Sequence, residues 1–178
     1  NERKRAETKV KDRNKLFYYY QSDNYDSHKN KKRRVMDLIY FTVQKVMFKY
    51  KKSILVKHNS GKKVLDYGGG VGMFANYLSS KGFDINMIEP NKEANEAAKK
   101  KNLKVFDSIE NLPKNSSFTC ITLWHVLEHV PHPERTIKRL KNHLESKGII
   151  LIALPNFKSF DSRYYGKFWA ALDVPRHL

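Results

Sequence analysis

The most constraining feature of this sequence is the segment 63–72, which reads Lys-Val-Leu-Asp-Tyr-Gly-Gly-Gly-Val-Gly. Val64 and Leu65 end a short apolar run, which indicates a buried parallel strand. The residues after the glycines, 73–80, are typical of a helix. Glycines permit positive φ and let the backbone approach a ligand where a Cβ would collide. Strand, glycine-rich turn and helix together predict the first unit of a nucleotide-binding α/β domain.

The spacing of the glycines narrows the kind of ligand. The dinucleotide fingerprint G-x-G-x-x-G fails, because counting from Gly68 its last position falls on Met73. The Walker pattern also fails, since no Gly-Lys-Ser/Thr follows. The pattern that remains is Asp-x-Gly-x-Gly-x-Gly, formed by Asp66, Gly68, Gly70 and Gly72, with Gly69 inside it. It resembles motif I of the class I S-adenosylmethionine (SAM)-dependent methyltransferases, in which this loop wraps the amino-acid end of SAM.

A second signal is independent of the glycines. Nucleotide sites of α/β proteins place an acidic side chain at the end of the next strand, about 20 residues on, where it accepts hydrogen bonds from the ribose hydroxyls. Residues 83–88 are predicted to form that strand, and Glu89 closes it, followed by Pro90. The glycine turn and the carboxylate, in this order, favour a nucleoside site over a structural turn beside a solvated glutamate.

Length and composition limit the class of protein. A chain of 178 residues with 40% hydrophobic residues can bury one core, so one domain is expected. No apolar run reaches the roughly 20 residues of a transmembrane helix, and the charged N-terminus is unlike a signal peptide. The single cysteine, Cys120, excludes an internal disulfide framework and a cysteine zinc cluster. These features predict a cytoplasmic protein.

The charge of the chain raises the question of a polyanionic partner. Lys and Arg number 35 against 18 Asp and Glu, which gives a formal net charge of +17. Such an excess suits nucleic acid, a membrane surface or an acidic substrate. The lysines are spread along the chain and are not confined to one tail, which favours a generally basic surface instead.

Residues 1–60 are predicted to form a basic and aromatic helical extension, and residues 61–178 the SAM-binding domain. Within the extension, residues 19–28 resemble a segment found ahead of the SAM domain in one bacterial branch of these methyltransferases. The resemblance implies a lid over the cofactor, with Tyr25 and His28 nearest to it. Packing of these aromatic side chains against the core is the alternative.

The second half of the extension, residues 31–57, is predicted to be one long helix. Apolar side chains recur there at helical spacing, and the lysines at 45, 49 and 52 lie away from them. The apolar residues concerned are Val35, Leu38, Ile39, Val43, Val46, Met47 and Tyr50. Such a face usually packs on a neighbouring domain, and the alternative is that this basic helix lies on an anionic membrane.

The order of strands and helices predicts the fold class. Further strands are expected at 103–106, 118–123 and 149–154, with helices at 91–101 and 133–146. This alternation is typical of an α/β, Rossmann-like parallel sheet with helices on both faces. The family resemblance implies the strand order 3-2-1-4-5. It also implies that residues just past the third strand, Asp107 and Ser108, contact the adenine.

The segment 123–131, Leu-Trp-His-Val-Leu-Glu-His-Val-Pro, follows the predicted fourth strand at the edge where ligands of open α/β sheets bind. It resembles the corresponding motif of the ubiquinone-biosynthesis O-methyltransferases. There, residues at the level of Trp124 and His125 flank the methionine part of SAM, and the Glu-His pair faces the acceptor. A hydroxyl acceptor must lose a proton, so His129 is predicted as the base and His125 as the second candidate. A purely structural role for both histidines is the alternative.

A metal-dependent reaction is a further alternative at this segment. In the ubiquinone O-methyltransferases and small-RNA 2′-O-methyltransferases, Glu-x-x-Glu-His and a later histidine hold a divalent metal. Here His125 replaces the first glutamate, which leaves Glu128, His129 and His177 as candidate ligands. The missing carboxylate makes a hard cation such as Mg²⁺ less favourable.

The end of the sequence differs from the complete family pattern. Methyltransferases of this class follow strand five with a helix and an antiparallel strand pair, and this chain stops at Leu178 before that pair. We therefore expect a fragment of a longer protein. The aromatic-rich stretch 157–169 is a candidate wall for a planar or lipid-like acceptor, or else a cover over the sheet.

The sequence thus predicts a SAM-dependent methyltransferase that acts on a small molecule at oxygen and releases S-adenosylhomocysteine. Two alternatives remain, an RNA methyltransferase and a SAM-binding module without activity. No RNA-binding module or basic-aromatic repeat is recognisable, which disfavours the first. The acceptor and the oligomeric state are not predicted.

Overall fold

A computed structural model describes residues 31–58, 61–169 and 171 of the chain. In chain order the elements are α1 (Lys31–His58), β1 (Lys63–Tyr67), α2 (Met73–Ser79), β2 (Asp84–Ile88), α3 (Lys92–Lys99), β3 (Lys104–Phe106), β4 (Phe118–Trp124), α4 (Pro133–Lys141), β5 (Leu144–Ala153) and α5 (Phe160–Tyr165). Short 3₁₀ turns cover Ile109–Asn111, Leu127–His129 and Gly166–Phe168. The predictions for Tyr25, His28 and His177 fall outside the described residues.

The five strands form one parallel sheet in the order β3-β2-β1-β4-β5. The central strand β1 pairs with β2 and with β4, and Val64 and Leu65 on its two faces are both fully buried. A strand buried on both faces is expected to be apolar in its interior, as Val64 and Leu65 are, and the buried Asp66 of the same strand is the exception. The predicted fold class and strand order are confirmed.

Helices cover both faces of the sheet and divide the core into two clusters. On one face, Leu55 of α1 packs with Phe74 and Leu78 of α2 and with Ala98 of α3. On the other face, Leu140 of α4 packs with apolar residues from β4 and from the turn after β3. This double cover leaves the carboxyl ends of the strands, where the loops emerge, as the edge open to a ligand.

The boundary between α4 and β5 differs from the predicted one. The helix ends at Lys141 instead of continuing to 146, and β5 begins at Leu144 instead of 149. Leu144 pairs with Phe118 at the start of β4, and the register shifts before the pair of Cys120 with Ile149. An irregularity in the pairing of β4 with β5 therefore places residues 144–146 in the strand, although their spacing predicted that they belong to the helix.

Helix α1 packs on the domain with a different face from the predicted one. Leu55 is fully buried, and the Phe48 ring lies 5.5 Å from Phe74 and 5.6 Å from Tyr77, centroid to centroid. The apolar residues expected to be covered are exposed instead wherever the structure describes their side chains. They are Leu38, Ile39, Val43, Val46, Met47 and Tyr50. The helix is therefore apolar on two faces, and only one of them contacts the sheet domain.

Candidate functional site

The glycine turn between β1 and α2 forms the floor of the candidate site. The Gly68 N–H donates to the Ile88 carbonyl of β2 at 2.8 Å, which ties the turn to the neighbouring strand. Gly68 has φ 72°, and a Cβ added there would lie 2.6 Å from Val126. A larger residue at this position would therefore be strained and would also clash with the segment after β4.

Gly70 differs from the other glycines of the turn in what surrounds it. It has φ 57°, and a Cβ added there would meet no described atom within 4 Å. At Gly72, in contrast, an added Cβ would lie 2.6 Å from Leu103 and 3.0 Å from Ala98. Gly72 thus serves the packing of the protein itself, whereas Gly70 presents bare backbone to open space, where a ligand can approach closely.

Glu89 at the end of β2 is fixed by backbone donors on both of its oxygens. Oε2 accepts from the Gly70 N–H at 2.7 Å, and Oε1 accepts from the Asn91 N–H at 2.9 Å. The side chain is buried, so these charge-assisted bonds form in a low-dielectric setting. Each carboxylate oxygen keeps a lone pair for a second donor. This arrangement suits the two adjacent hydroxyls of a ribose.

The helix that follows Glu89 holds the next part of the site. Asn91 caps α3, since its side chain accepts from the Ala94 N–H at 3.0 Å. The buried Asn95 amide donates to the Glu89 carbonyl at 2.9 Å, which keeps the end of β2 against the helix. Together the two bonds tie the end of β2 to the first turn of α3.

A cavity of about 350 Å³ lies between α3 and the end of β3. Its lining includes Pro90, Phe106 and Asp107 from the ends of β2 and β3, with Asn95 and Lys99 from the helix. The Asp107 carboxylate is hydrogen-bonded by the Asn111 side-chain amide. Ser108 lies next to it and precedes the 3₁₀ turn Ile109–Asn111. The predicted contact of Asp107 and Ser108 with adenine is compatible with this position and stays a prediction.

Asp66 lies beneath the turn and is completely buried. Thr122 of β4 donates its hydroxyl to Asp66 Oδ1 at 2.6 Å. Burial raises the pKa of the Asp66 carboxyl to about 6, against the lowering effects of the Thr122 hydrogen bond and of Lys51, while Glu89 raises it further. The carboxylate that the motif requires is therefore held at an energetic cost, offset in part by one hydroxyl and one ammonium.

Lys51 brings a positive charge from α1 to the same place. Its Nζ lies 4.6 Å from the centroid of the Trp124 ring and 5.5 Å from that of Phe74. Burial lowers the pKa of the Lys51 ammonium, and the charge of Asp66 opposes this lowering. The aromatic faces and the buried carboxylate together keep a desolvated cation at the methionine end of the predicted SAM site.

The segment after β4 carries the strained and unpaired groups of the site. His125 has φ 56°, a conformation that a non-glycine residue adopts at a cost. Its N–H still donates to the Ala153 carbonyl at 3.0 Å, so the sheet ladder holds the backbone in place. The Trp124 indole lies edge-on to Phe74, and its Nε1 is buried without a hydrogen-bond partner among the described residues.

Glu128 and the two histidines lie together on this segment. Glu128 Oε1 is 3.6 Å from His125 Nδ1, and the Glu128 side chain is only 8% exposed, whereas that of His125 is 61% exposed. Neither Glu128 oxygen has a hydrogen-bond partner within the described part of the chain. His129 is half-buried, and its N–H donates to the Val126 carbonyl at 2.9 Å.

The predicted metal ligands lie partly outside the described residues. Across residues 31–58, 61–169 and 171, no group of three or more His, Cys, Asp or Glu side chains is placed to hold a metal ion. Glu128 and His129 are neighbours on one 3₁₀ turn, and the third proposed ligand, His177, is not described. The metal alternative therefore stays a prediction.

Two residues of the site were missed by sequence reasoning. Thr122 lies in the middle of an apolar strand, where a buried threonine opposite the motif aspartate is a weak but readable signal. The sequence gives no signal for Lys51, because the position of this side chain depends on which face of α1 packs against the sheet domain. That choice is made by tertiary packing and cannot be read from periodicity when two faces are apolar.

A family model described as a methyltransferase domain matches residues 41–178. The match takes in most of the chain, so the chain belongs to this methyltransferase domain family. The resemblance to the class I SAM-dependent methyltransferases is thereby confirmed, and SAM is the cofactor of this family.

The curated relatives include ubiquinone biosynthesis O-methyltransferases. The one from Rickettsia typhi is 31% identical over 101 residues, which are 53% of this chain and 41% of the relative. The one from Paraburkholderia phymatum is 27% identical over 130 residues, 67% of this chain and 56% of the relative. The chain thus spans about half the length of the curated relatives that it matches.

Solved structures support the fold. A SAM-dependent methyltransferase from Thermotoga maritima, described as a possible histamine N-methyltransferase, is 30% identical with a TM-score of 0.50, over 59% of this chain and 50% of that chain. The plantazolicin methyltransferase BpumL, solved with SAH and a pentazolic desmethylPZN analog, is 23% identical with a TM-score of 0.51, over 58% and 42% of the two chains. The second likeness bears on the fold alone.

No helix within the described ranges is both long and apolar enough to cross a membrane.

Proposed function

We propose that this chain transfers the methyl group of SAM to an oxygen atom of a small-molecule acceptor and releases S-adenosylhomocysteine. The observation that carries the proposal is the pairing of Gly70 with Glu89. A bare backbone position with φ 57° faces open space, and its N–H anchors a buried carboxylate at 2.7 Å. A cradle of this kind fits a nucleoside, with room at the glycine and acceptor capacity at the glutamate.

SAM, when bound, supplies an electrophilic methyl group on a sulfonium sulfur. The task of the chain is then alignment, which alone can contribute about 7–11 kcal/mol to lowering the barrier. Glu89 would hold the ribose hydroxyls through its free lone pairs. The glycine turn, anchored to β2 through Gly68, would fix the other end. Both groups are preorganised by hydrogen bonds, so little reorganisation is needed on binding.

The acceptor side is assigned to the segment after β4. Trp124 and His125 would flank the methionine part of SAM, and Glu128 and His129 would face the acceptor. His129 is the proposed base for a hydroxyl acceptor, with His125 as the second candidate. Support comes from their position at the carboxyl end of β4 and from the names of the curated relatives, which are O-methyltransferases.

An RNA acceptor is the second candidate function, and the net charge of +17 is the observation that favours it. The two acceptor classes differ in their response to salt. RNA binding by many lysines should weaken steeply and linearly on a logarithmic salt scale, whereas turnover of a neutral phenol should not.

The test is a measurement of S-adenosylhomocysteine released from SAM by the purified chain, with panels of phenols, amines and a structured RNA as acceptors. The proposal predicts release with at least one hydroxyl compound. Release only with amines or only with RNA would overturn the assignment to a small-molecule oxygen. SAM binding without release from any acceptor would favour a binding module.

A further inference from the structure

Helix α1 carries an apolar surface that the domain does not use. We define the outer face of α1 as Ile39, Val43, Val46, Met47 and Tyr50. Their exposed fractions lie between 45% and 59%, although a helix packed on a domain normally turns polar side chains outward. The spacing of four, three and four residues from Ile39 to Tyr50 makes them one continuous stripe.

Between Val43 and Lys52, the three sides of α1 are chemically distinct. At ~100° per residue, the outer face fills an arc of about 100°. The domain side, with Phe48, Lys51 and Leu55, lies about 120° away from its centre, as the contacts with α2 and β4 show. The remaining side carries Lys45, Lys49 and Lys52 and is centred about 140° from the apolar stripe. Nearer the two ends of the helix this side also exposes Leu38, Phe41 and Val56.

From this arrangement we infer that the outer face of α1 docks on the surface of an anionic phospholipid bilayer. An apolar stripe opposed by lysines is the composition of helices that lie in the bilayer interface. The acyl boundary takes up the aliphatic and tyrosine side chains. Anionic headgroups attract the lysines, and the rest of the positive charge of the chain adds to this attraction.

Electrostatic complementarity distinguishes the bilayer from the other molecules that could bind to the outer face of α1. A second copy of the chain would bring another +17 formal charges to the same place, so the electrostatic contribution opposes self-association. A nucleic acid would satisfy the lysines but offers nothing to the aliphatic side chains of Val43 and Val46. Of these three occupants, an anionic bilayer is the one with chemistry for both sides of the helix.

Docking here would bring the candidate site close to the lipid phase. Lys51 reaches the Trp124 ring from the domain side of α1, so the site and the outer face are separated by one helix, about 10–12 Å across. An acceptor dissolved in the bilayer could then reach the site without a long passage through water.

The test is vesicle flotation of the 178-residue chain with phosphatidylcholine alone and with a mixture of phosphatidylcholine and phosphatidylglycerol. The inference predicts binding to the anionic vesicles that is at least about tenfold tighter than binding to the neutral ones. The double variant Val43→Asp/Val46→Asp should weaken that binding about tenfold or more, since two inserted side chains are lost.

The control is Val56→Asp, which adds one of the two negative charges of the double variant to a valine of the same helix that is 53% exposed but lies on the lysine side. It should keep binding within about threefold, because it leaves the apolar stripe intact. Circular dichroism and melting temperature establish that each variant is folded. In a second set, Lys45→Gln/Lys49→Gln should reduce binding to anionic vesicles roughly tenfold and leave the neutral vesicles unchanged.

Several outcomes would overturn the inference. One is no binding to either vesicle by folded protein, and another is equal loss with Val56→Asp and with the double variant. A dimer in sedimentation velocity that Val43→Asp/Val46→Asp dissociates would assign the face to a second copy. Binding to RNA that the double variant abolishes would assign it to nucleic acid.

Discussion

The two halves of the candidate site are built in opposite ways. On the cofactor half, Glu89 has both oxygens hydrogen-bonded by backbone N–H groups, and Gly68 is tied to β2. On the acceptor half, His125 is strained and largely exposed, and Glu128 is buried with no hydrogen-bond partner among the described residues. The proposed cofactor half is therefore fixed by hydrogen bonds within the fold, whereas the proposed acceptor half keeps a strained histidine and a carboxylate without a hydrogen-bond partner in the described ranges.

The largest expected effect concerns Asp66, at the base of the cofactor half. The folded-state pKa of about 6 lies above the ordinary value of 3.8. The native state therefore binds this proton more tightly than the unfolded state, so the contribution of Asp66 to stability is greatest below pH 3.8 and is lost as pH rises through 6. The full shift corresponds to a loss of about 3 kcal/mol.

The variant Asp66→Asn should lack this pH dependence. Urea unfolding of both proteins from acidic to neutral pH measures it, and the difference between the two curves removes the other titrating groups. Parallel curves would contradict the assignment of a costly buried carboxylate to Asp66.

The next effect compares Gly70, which is predicted to face the ligand, with a glycine that has positive φ but lies elsewhere. Gly70→Val should weaken SAM binding roughly a hundredfold, because the new side chain fills the space into which the cofactor fits. Gly166→Val is the matched control, since Gly166 has φ 52° and an added Cβ there also meets nothing within 4 Å. Both variants should lose stability from backbone strain, and only Gly70→Val should lose affinity by calorimetry. Equal SAM affinities of the two variants would show that Gly70 does not face the bound cofactor.

A smaller effect is expected at the ribose carboxylate. Glu89→Ala should weaken SAM binding by at least about tenfold, since charge-assisted hydrogen bonds of this kind contribute about 1.5–3 kcal/mol each. Glu145→Ala, at an exposed carboxylate of β5, should bind SAM as the unchanged protein does. Unaltered affinity in folded Glu89→Ala would exclude Glu89 from the ribose role.

The smallest effect tests the strain on the acceptor half. His125→Asn should raise the free energy of unfolding by up to about 1 kcal/mol, because asparagine adopts positive φ more readily than histidine. Asn102 already occupies this conformation at φ 60° elsewhere in the chain. Chemical denaturation measures the change. A clear loss of stability would show that contacts of the His125 ring outweigh the backbone strain.

The same contrast explains what the sequence could predict. The glycine turn and Glu89 were readable because backbone geometry limits which residues can stand there, and the strand order followed from the family resemblance. The end of α4 was predicted wrongly, since a shift in the ladder between β4 and β5 took residues 144–148 into the strand. The packing face of α1, and with it Lys51, was not readable, because two faces of the helix are apolar and only tertiary contacts choose between them.

The acceptor half was readable only as a motif. The Trp-His-Val-Leu-Glu-His run marks the position of the site, but the strain at His125 and the burial of Glu128 depend on how the turn after β4 folds. The roles of His129 and His125 as bases, and of Glu128 as a metal ligand, rest on resemblance and await measurement.

The central claim is that the turn at Gly70 and the carboxylate of Glu89 hold two parts of one SAM molecule. Isothermal titration calorimetry of the folded chain with SAM, and separately with S-adenosylhomocysteine, tests it most directly. The account predicts a saturable heat with one site per chain for both compounds. No heat with either compound, from protein shown to be folded by circular dichroism, would contradict it.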